Sequence, residues 1–143
     1  MWDHALMTSF VLDPRLTAES FAIGGLKLCE ARLFDDARFP WLVLVPQRAE
    51  LVEIIDLDAR EQALLSEDIA KASHALKSMT GCYKLNVAAL GNQVRQLHVH
   101  IIARFENDAA WPMPVWGKGA RVPYEAKARE ALIAELRKAF RIA

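Results

Sequence analysis

Cysteine is almost missing from this chain of 143 residues: Cys29 and Cys82 stand alone, far apart and without a C-x-x-C pair. That excludes a disulfide framework and a cysteine-built zinc site, and it fits a reducing compartment. An excess of charge of either sign is also lacking, since eighteen Lys and Arg balance eighteen Asp and Glu. A neutral chain offers no broad positive surface to nucleic acid or to an anionic membrane, so an anionic ligand must be held by a local site. No apolar run approaches the ~20 residues of a membrane-spanning helix. The opening Met-Trp-Asp-His-Ala-Leu-Met has neither the basic start nor the long apolar stretch of a secretory signal. Together these absences predict a soluble cytoplasmic protein without membrane or stable nucleic-acid partners. No internal repeat, low-complexity tract or linker interrupts it.

What is present is apolar material in quantity. At 53% hydrophobic residues, a chain of this length is expected to form one compact domain over residues 1–143 with a true core. The pattern predicts an α+β fold. Residues 21–34 and 41–46 carry β-like apolar runs separated by an Asp-Asp turn, with Pro40 at the entry to the second. Asp58 followed by Glu61 resembles a capping box, and Ala63, Leu64, Ile69, Leu76 and Met79 then recur at helical spacing up to Gly81. Tyr83 to Leu90 reads as a strand, Gly91-Asn92 as a turn and Val94 to Phe105 as the antiparallel partner. Tyr124 to Phe140 reads as a last helix, with Ala131, Leu132, Leu136 and Phe140 between charged residues. The expected architecture is an antiparallel sheet with one long helix packed on it and a C-terminal helix.

Chemistry is concentrated between Val94 and Phe105, which reads Val-Arg-Gln-Leu-His-Val-His-Ile-Ile-Ala-Arg-Phe. On a single strand the alternation places Gln96, His98 and His100 on one face, with like-facing side chains ~7 Å apart, and Leu97, Val99 and Ile101 on the apolar other. Two imidazoles so spaced can touch one small anionic group such as a phosphate. They can also be hydrogen-bonded core histidines, or share a metal ion. A stable Zn²⁺ site wants three or four ligands, and His4 and His74 have no ligand-like spacing to this pair, so no metal is expected. Arg95 points away from the face by the same alternation.

The stretch Gln96-Leu97-His98-Val99-His100-Ile101-Ile102, with Gly91-Asn92-Gln93-Val94 before it, resembles the signature H-φ-H-φ-H-φ-φ of the histidine triad nucleotide hydrolases and transferases. Gln96 stands where the first histidine usually stands. The resemblance implies that His98 is the nucleophile that takes up a nucleotidyl group, and that His100 contacts the phosphate and leaving-group oxygen. Gln96 completes the catalytic set as an uncharged amide, able to donate and accept hydrogen bonds but not to carry a proton as an imidazolium. Residues 26 to 46 resemble the family's two-strand segment, in which an Asn or Asp holds the ribose. Asp35 and Asp36 are the candidates there, Asp35 slightly preferred; the alternative is that Asp-Asp-Ala-Arg is simply a polar hairpin turn. Many members carry a histidine two residues after the following proline, where this chain has Leu42.

The resemblance implies covalent catalysis at the α-phosphorus of a nucleotide, a dinucleoside polyphosphate or a nucleoside phosphoramidate, followed by hydrolysis of nucleotidyl-His98. His98 needs a fixed tautomer, which a backbone carbonyl at a strand edge or bend would supply. His100, if protonated, would offset charge on the phosphoryl oxygens, and Asn92 and Gln93 would add neutral donors; Asn86 is a further contact from the neighbouring strand. No cofactor is required, though Mg²⁺ could accompany a polyphosphate. The loop Ala110-Trp111-Pro112-Met113-Pro114-Val115-Trp116-Gly117 is either a clasp over the core or a wall for a base, with Trp116 the substrate-facing residue, or for a partner subunit. A homodimer is expected from the resemblance. The other reading of Gln96 and Leu42 is a catalytically weak nucleotide-binding module acting through partners. A nucleic-acid end-processing role is disfavoured, for the chain has no basic extension or zinc-finger-like segment.

Overall fold

The computed structural model describes residues 9–141; the Met-Trp-Asp-His-Ala-Leu-Met stretch with His4 lies outside them. A short helix α1 (Pro14–Glu19) runs into strand β1 (Ser20–Gly25), followed by β2 (Cys29–Phe34), β3 (Trp41–Pro46), a 3-10 turn (Ile54–Asp56), the long helix α2 (Ala59–Thr80), β4 (Lys84–Ala88), β5 (Val99–Arg104) and α3 (Ala126–Phe140). The five strands form one antiparallel sheet in the order β1-β2-β3-β5-β4. The apolar run at 21–34 is thus two strands joined by a turn at 26–28, and the expected strand from Val94 begins only at Val99. No helix among the described residues is long and apolar enough to cross a membrane.

Helix α2 forms where its caps dictate. The Asp58 carboxylate accepts from the Glu61 amide at 2.8 Å while the Glu61 carboxylate accepts from the Asp58 amide at 3.1 Å, which satisfies two of the amides that a helix start leaves free. At the other end Gly81 adopts φ 65°, ψ 28°, and its amide closes on the Lys77 carbonyl, a left-handed cap that costs glycine little. Between them Asp68 turns inward. Its carboxylate accepts from the amides of Lys27 (3.0 Å), Leu28 (2.8 Å) and Cys29 (2.9 Å), fastening the β1–β2 turn to the helix.

The pleat sorts the sheet into two faces. Leu42 and Leu44 of β3 and Val99, Ile101 and Ala103 of β5 join the main core under α2 and α3, with Leu65, Ala72, Leu76, Leu136 and Phe140. Trp41, Val43, Val45 and Ile102 point the other way into a second cluster with Leu16, Phe39, Ala110 and Val115. Neither α2 nor α3 covers that face; the short α1 reaches it through Leu16. The face is closed by the segment before α1 and by the loop that follows β5, and the histidines lie there.

Candidate active site

The loop from β4 to β5 delivers the site. It turns at Gly91, whose φ of 69° an L side chain would strain and whose added Cβ would meet the Val94 carbonyl at 3.5 Å. It then bends at Gln96 before joining β5, and the Leu97 amide donates to the Leu51 carbonyl at 2.9 Å. Past that bend the Gln96 side chain turns toward the segment before α1. Its carboxamide receives the Asp13 amide at Oε1 (2.9 Å) and donates from Nε2 to the Val11 carbonyl (2.8 Å).

His98 and His100 are brought together, their ring centroids 4.9 Å apart. His98 is only 7% exposed, so the strand position is enclosed rather than solvent-facing. Its Nδ1 lies 2.7 Å from the Gln96 carbonyl. A carbonyl only accepts, so Nδ1 carries the proton and the Nε2 lone pair is free. His100 has the opposite polarity. The Trp41 indole, which can only donate, reaches His100 Nδ1 at 2.9 Å, so Nδ1 is the acceptor and the proton sits on Nε2. Burial, and secondarily the neighbouring His98, pushes the His100 pKa down to about 3. Of the two forms open to His100, this geometry and burial favour the neutral N–H donor over the imidazolium. The pair presents one lone pair and one N–H to the same space.

That space is a cavity of about 350 Å³, within the range of small-ligand sites. Its walls include Phe34, Trp41, Val43, Leu16 and Trp116, and the Gly91–Val94 turn edges it beside both histidines. Phe34 stacks on Trp41 at 4.1 Å, and Trp116 meets Trp41 and His100 edge-on at 5.7 and 5.1 Å. The walls are thus aromatic and flat, suited to a planar base. A second, open groove also reaches His98, with Ile54, Ile55, Arg95 and Gln96 on its lining.

Asn92, Gln93 and Trp116 stand at the cavity as the sequence indicates. Asp35, Asp36 and Asn86 do not line it. Asp35 accepts from the Tyr124 amide (2.9 Å) and from Arg121 (3.0 Å). Asp36, 1% exposed, accepts from the Arg38 amide and guanidinium and from the Val122 amide. Burial alone would raise the Asp36 carboxyl, but these donors hold it below the usual carboxylate range. Both aspartates therefore staple the β2–β3 turn to the segment before α3, which is the polar-turn reading. Asn86 Oδ1 accepts from Arg104 at 2.8 Å and belongs to the network that anchors the tryptophan loop. That loop serves as clasp and wall at once: its Ala110 and Val115 are buried in the second cluster while its Trp116 faces the cavity. Sequence reasoning missed Trp41. The signal was the alternation of β3, which sends Leu42 to the helix side and its neighbour to the histidines. Among the described residues no three His, Cys, Asp or Glu side chains gather as a metal site would require.

Residues 15–107 match the model of the HIT domain family, and they contain the whole histidine strand and most of the cavity. The chain belongs to the histidine triad family. Among solved structures, this HIT protein is similar to a histidine triad protein from Bradyrhizobium japonicum (48% identity over 92% of this chain and 98% of that one, TM-score 0.90). It is similarly close to one from Sinorhizobium meliloti (46%, 93% and 98%, TM-score 0.89) and one from Marinobacter aquaeolei (38%, 93% and 97%, TM-score 0.90). No curated protein matches the chain. HIT membership points to nucleotide binding and to hydrolase or transferase chemistry.

Proposed function

We propose that this HIT protein is a nucleotide hydrolase or nucleotidyl transferase that works through a covalent nucleotidyl-His98 intermediate. The observation that carries the reading is the 2.7 Å bond from His98 Nδ1 to the Gln96 carbonyl, which leaves the Nε2 lone pair ready to attack. A nucleoside monophosphoryl group enters with its base between Phe34, Trp41 and Trp116. His98 Nε2 forms a bond to the α-phosphorus as the P–O or P–N bond to the leaving group breaks, and the leaving group departs with a proton from solvent. Neutral His100 donates from Nε2 to a phosphoryl oxygen, with Asn92 and Gln93 at the mouth. Water then attacks the phosphorus and gives up a proton to solvent, the P–N bond breaks to return neutral His98, and the nucleoside monophosphate leaves. Dividing one displacement into two lowers each barrier, and donors fixed in advance on the developing charge are worth roughly 3 to 4 kcal/mol each.

The chemistry of the site calls for no cofactor, and Mg²⁺ enters only as the companion of a polyphosphate substrate. A cytoplasmic homodimer is part of the same proposal. The dimer's support is the outer edge of β4, which no strand among the described residues pairs, with exposed Val87, and the exposed Ile55 and Leu90 nearby.

Intact-protein mass spectrometry after brief mixing with a diadenosine polyphosphate or an adenosine phosphoramidate tests the step. Because His98 is enclosed, His98→Asn is the variant of choice: its side-chain N–H can still reach the Gln96 carbonyl, but it offers no nucleophile. A wild-type adduct of one nucleoside monophosphate that is absent in the variant is the expected outcome. Binding by calorimetry without adduct or product would replace the enzyme with the binding module.

A further inference from the structure

Gln96 is left without a part in the chemistry, yet it makes more directed contacts than any other residue of its loop. Its carboxamide pairs with the main chain at two points, the Asp13 amide at 2.9 Å and the Val11 carbonyl at 2.8 Å, as a neighbouring strand would. Its own carbonyl receives His98 Nδ1. A third tie runs alongside: Arg15 donates to the Gln93 carbonyl at 2.8 Å while also holding the Asp13 carboxylate. Residues 11–15 are thus fastened to residues 93–96, and the fastened bend carries the acceptor that sets the nucleophile's tautomer. On the other side of the fastening, Leu12 packs on the second core cluster and Leu16 lines the aromatic cavity.

We propose that Gln96 is a positioning residue that locks the segment before α1 to the His98 bend and thereby fixes both the tautomer of His98 and the Leu16 wall of the cavity. The inference rests on His98 as the nucleophile. It also explains the residue type. A carboxamide presents a donor and an acceptor side by side, matched to an amide and a carbonyl two residues apart on one extended edge. An imidazole has one of each, but they point in divergent directions and cannot meet that pair. Histidine at this position would therefore break the lock, and the glutamine marks a different task for the position.

The test uses the full chain with three readouts: hydrogen exchange of the Asp13 amide, the ring nitrogen shifts of His98, and the rate of adduct formation. In Gln96→Ala the Asp13 amide should exchange about tenfold faster or more. The His98 ring should then show mixed tautomers, and the adduct rate should fall about tenfold with little change in nucleotide affinity. Gln96→His should fall below wild type as well. A second route leaves Gln96 in place. Asp13 has φ −57°, which proline shares, so Asp13→Pro removes the amide donor, and Asp13→Ala is its control because both lose the carboxylate. The His98 shift should change in the proline variant relative to the alanine one. A Gln96→His protein as fast as wild type or faster overturns the proposal, as does Gln96→Ala with wild-type exchange and an unchanged His98 tautomer. The exchange and ring signals need no turnover, so a wild-type protein that forms no adduct counts against the catalytic reading while those two still decide the lock.

Discussion

Trp41 and Gln96 set the two imidazoles of this site in opposite senses, and each does so with a single hydrogen bond. In Trp41→Phe the ring remains against Phe34, but the N–H that holds the His100 proton on Nε2 is gone, and His100 can place its proton on Nδ1 instead. A donor that is present only part of the time stabilises the transferring phosphoryl group less. The adduct rate should drop roughly tenfold or more, with nucleotide affinity nearly unchanged and the His100 ring nitrogen signals moved toward mixed tautomers; a wild-type rate would remove Trp41 from the mechanism. At this scale the sequence was informative about identity and uninformative about direction. The spacing of His98 and His100 was enough to place both at one cavity. Which nitrogen carries each proton depended on the bend at Gln96 and on a tryptophan fifty-nine residues away in sequence from His100. The Asp35-Asp36 pair was ambiguous because acceptors suited to a ribose are equally suited to the amides of a tight turn, and it is turn and loop donors that both meet in the structure.

At the scale of elements, local signals were sufficient where the structure is local. The Asp58–Glu61 box and Gly81 bound the long helix as their chemistry requires, and the apolar spacing of the last helix places Leu136 and Phe140 in the core. The short helix α1 had a local signal that was passed over, Asp13 as cap with Pro14 in the first turn, whereas the late start of β5 goes with contacts between residues 11–15 and 93–96 that no local pattern announces. The Asp68 staple is another such contact, made by a charged residue on the inner face of a helix. Asp68→Ala would leave three turn amides without partners. Since an unsatisfied buried donor costs roughly 1–3 kcal/mol, a loss of about 3 kcal/mol in urea unfolding is expected, with adduct formation in the folded protein unaffected. A loss under about 1 kcal/mol would mean that water takes over the amides.

Over the whole molecule, stability falls in acid, and His100 and Asp108 carry the largest shifts in that direction, with Asp36 adding to them. His100 has a folded pKa of about 3 against an ordinary 6.5, so below 6.5 the unfolded chain binds a proton that the folded chain refuses, and folding weakens as pH falls toward 3. Asp108 adds to this at lower pH. Burial would raise its carboxyl, but Arg104 and the amides of Phe105, Ala110 and Trp111 hold it at about 2 against 3.8. Its contribution is therefore present above 3.8 and lost as pH falls through 2. Urea midpoints should be level above pH 7 and decline below 6.5. His100→Gln, whose side-chain oxygen can accept the Trp41 N–H, should flatten the decline between 6.5 and 4, and an unaltered slope in that variant would assign the effect to another group. The Arg104–Asp108 pair itself, 1% and 5% exposed, anchors the tryptophan loop through Asn86 and the Met113 carbonyl. The sequence could mark this loop as aromatic and rigid, but that it closes the site face of the sheet follows from tertiary contacts alone.

The division of the sheet into a helix-covered face and a loop-covered face has a practical side. Every group placed in the chemistry lies on the loop side, while α2 and α3 touch the reacting atoms only through a layer of Leu42, Leu44, Val99 and Ile101. The outer surfaces of those helices are therefore where fluorophores, surface linkers or thermostabilising substitutions can be added in engineering this protein, with the aromatic cavity shielded from them by the full thickness of a β-sheet.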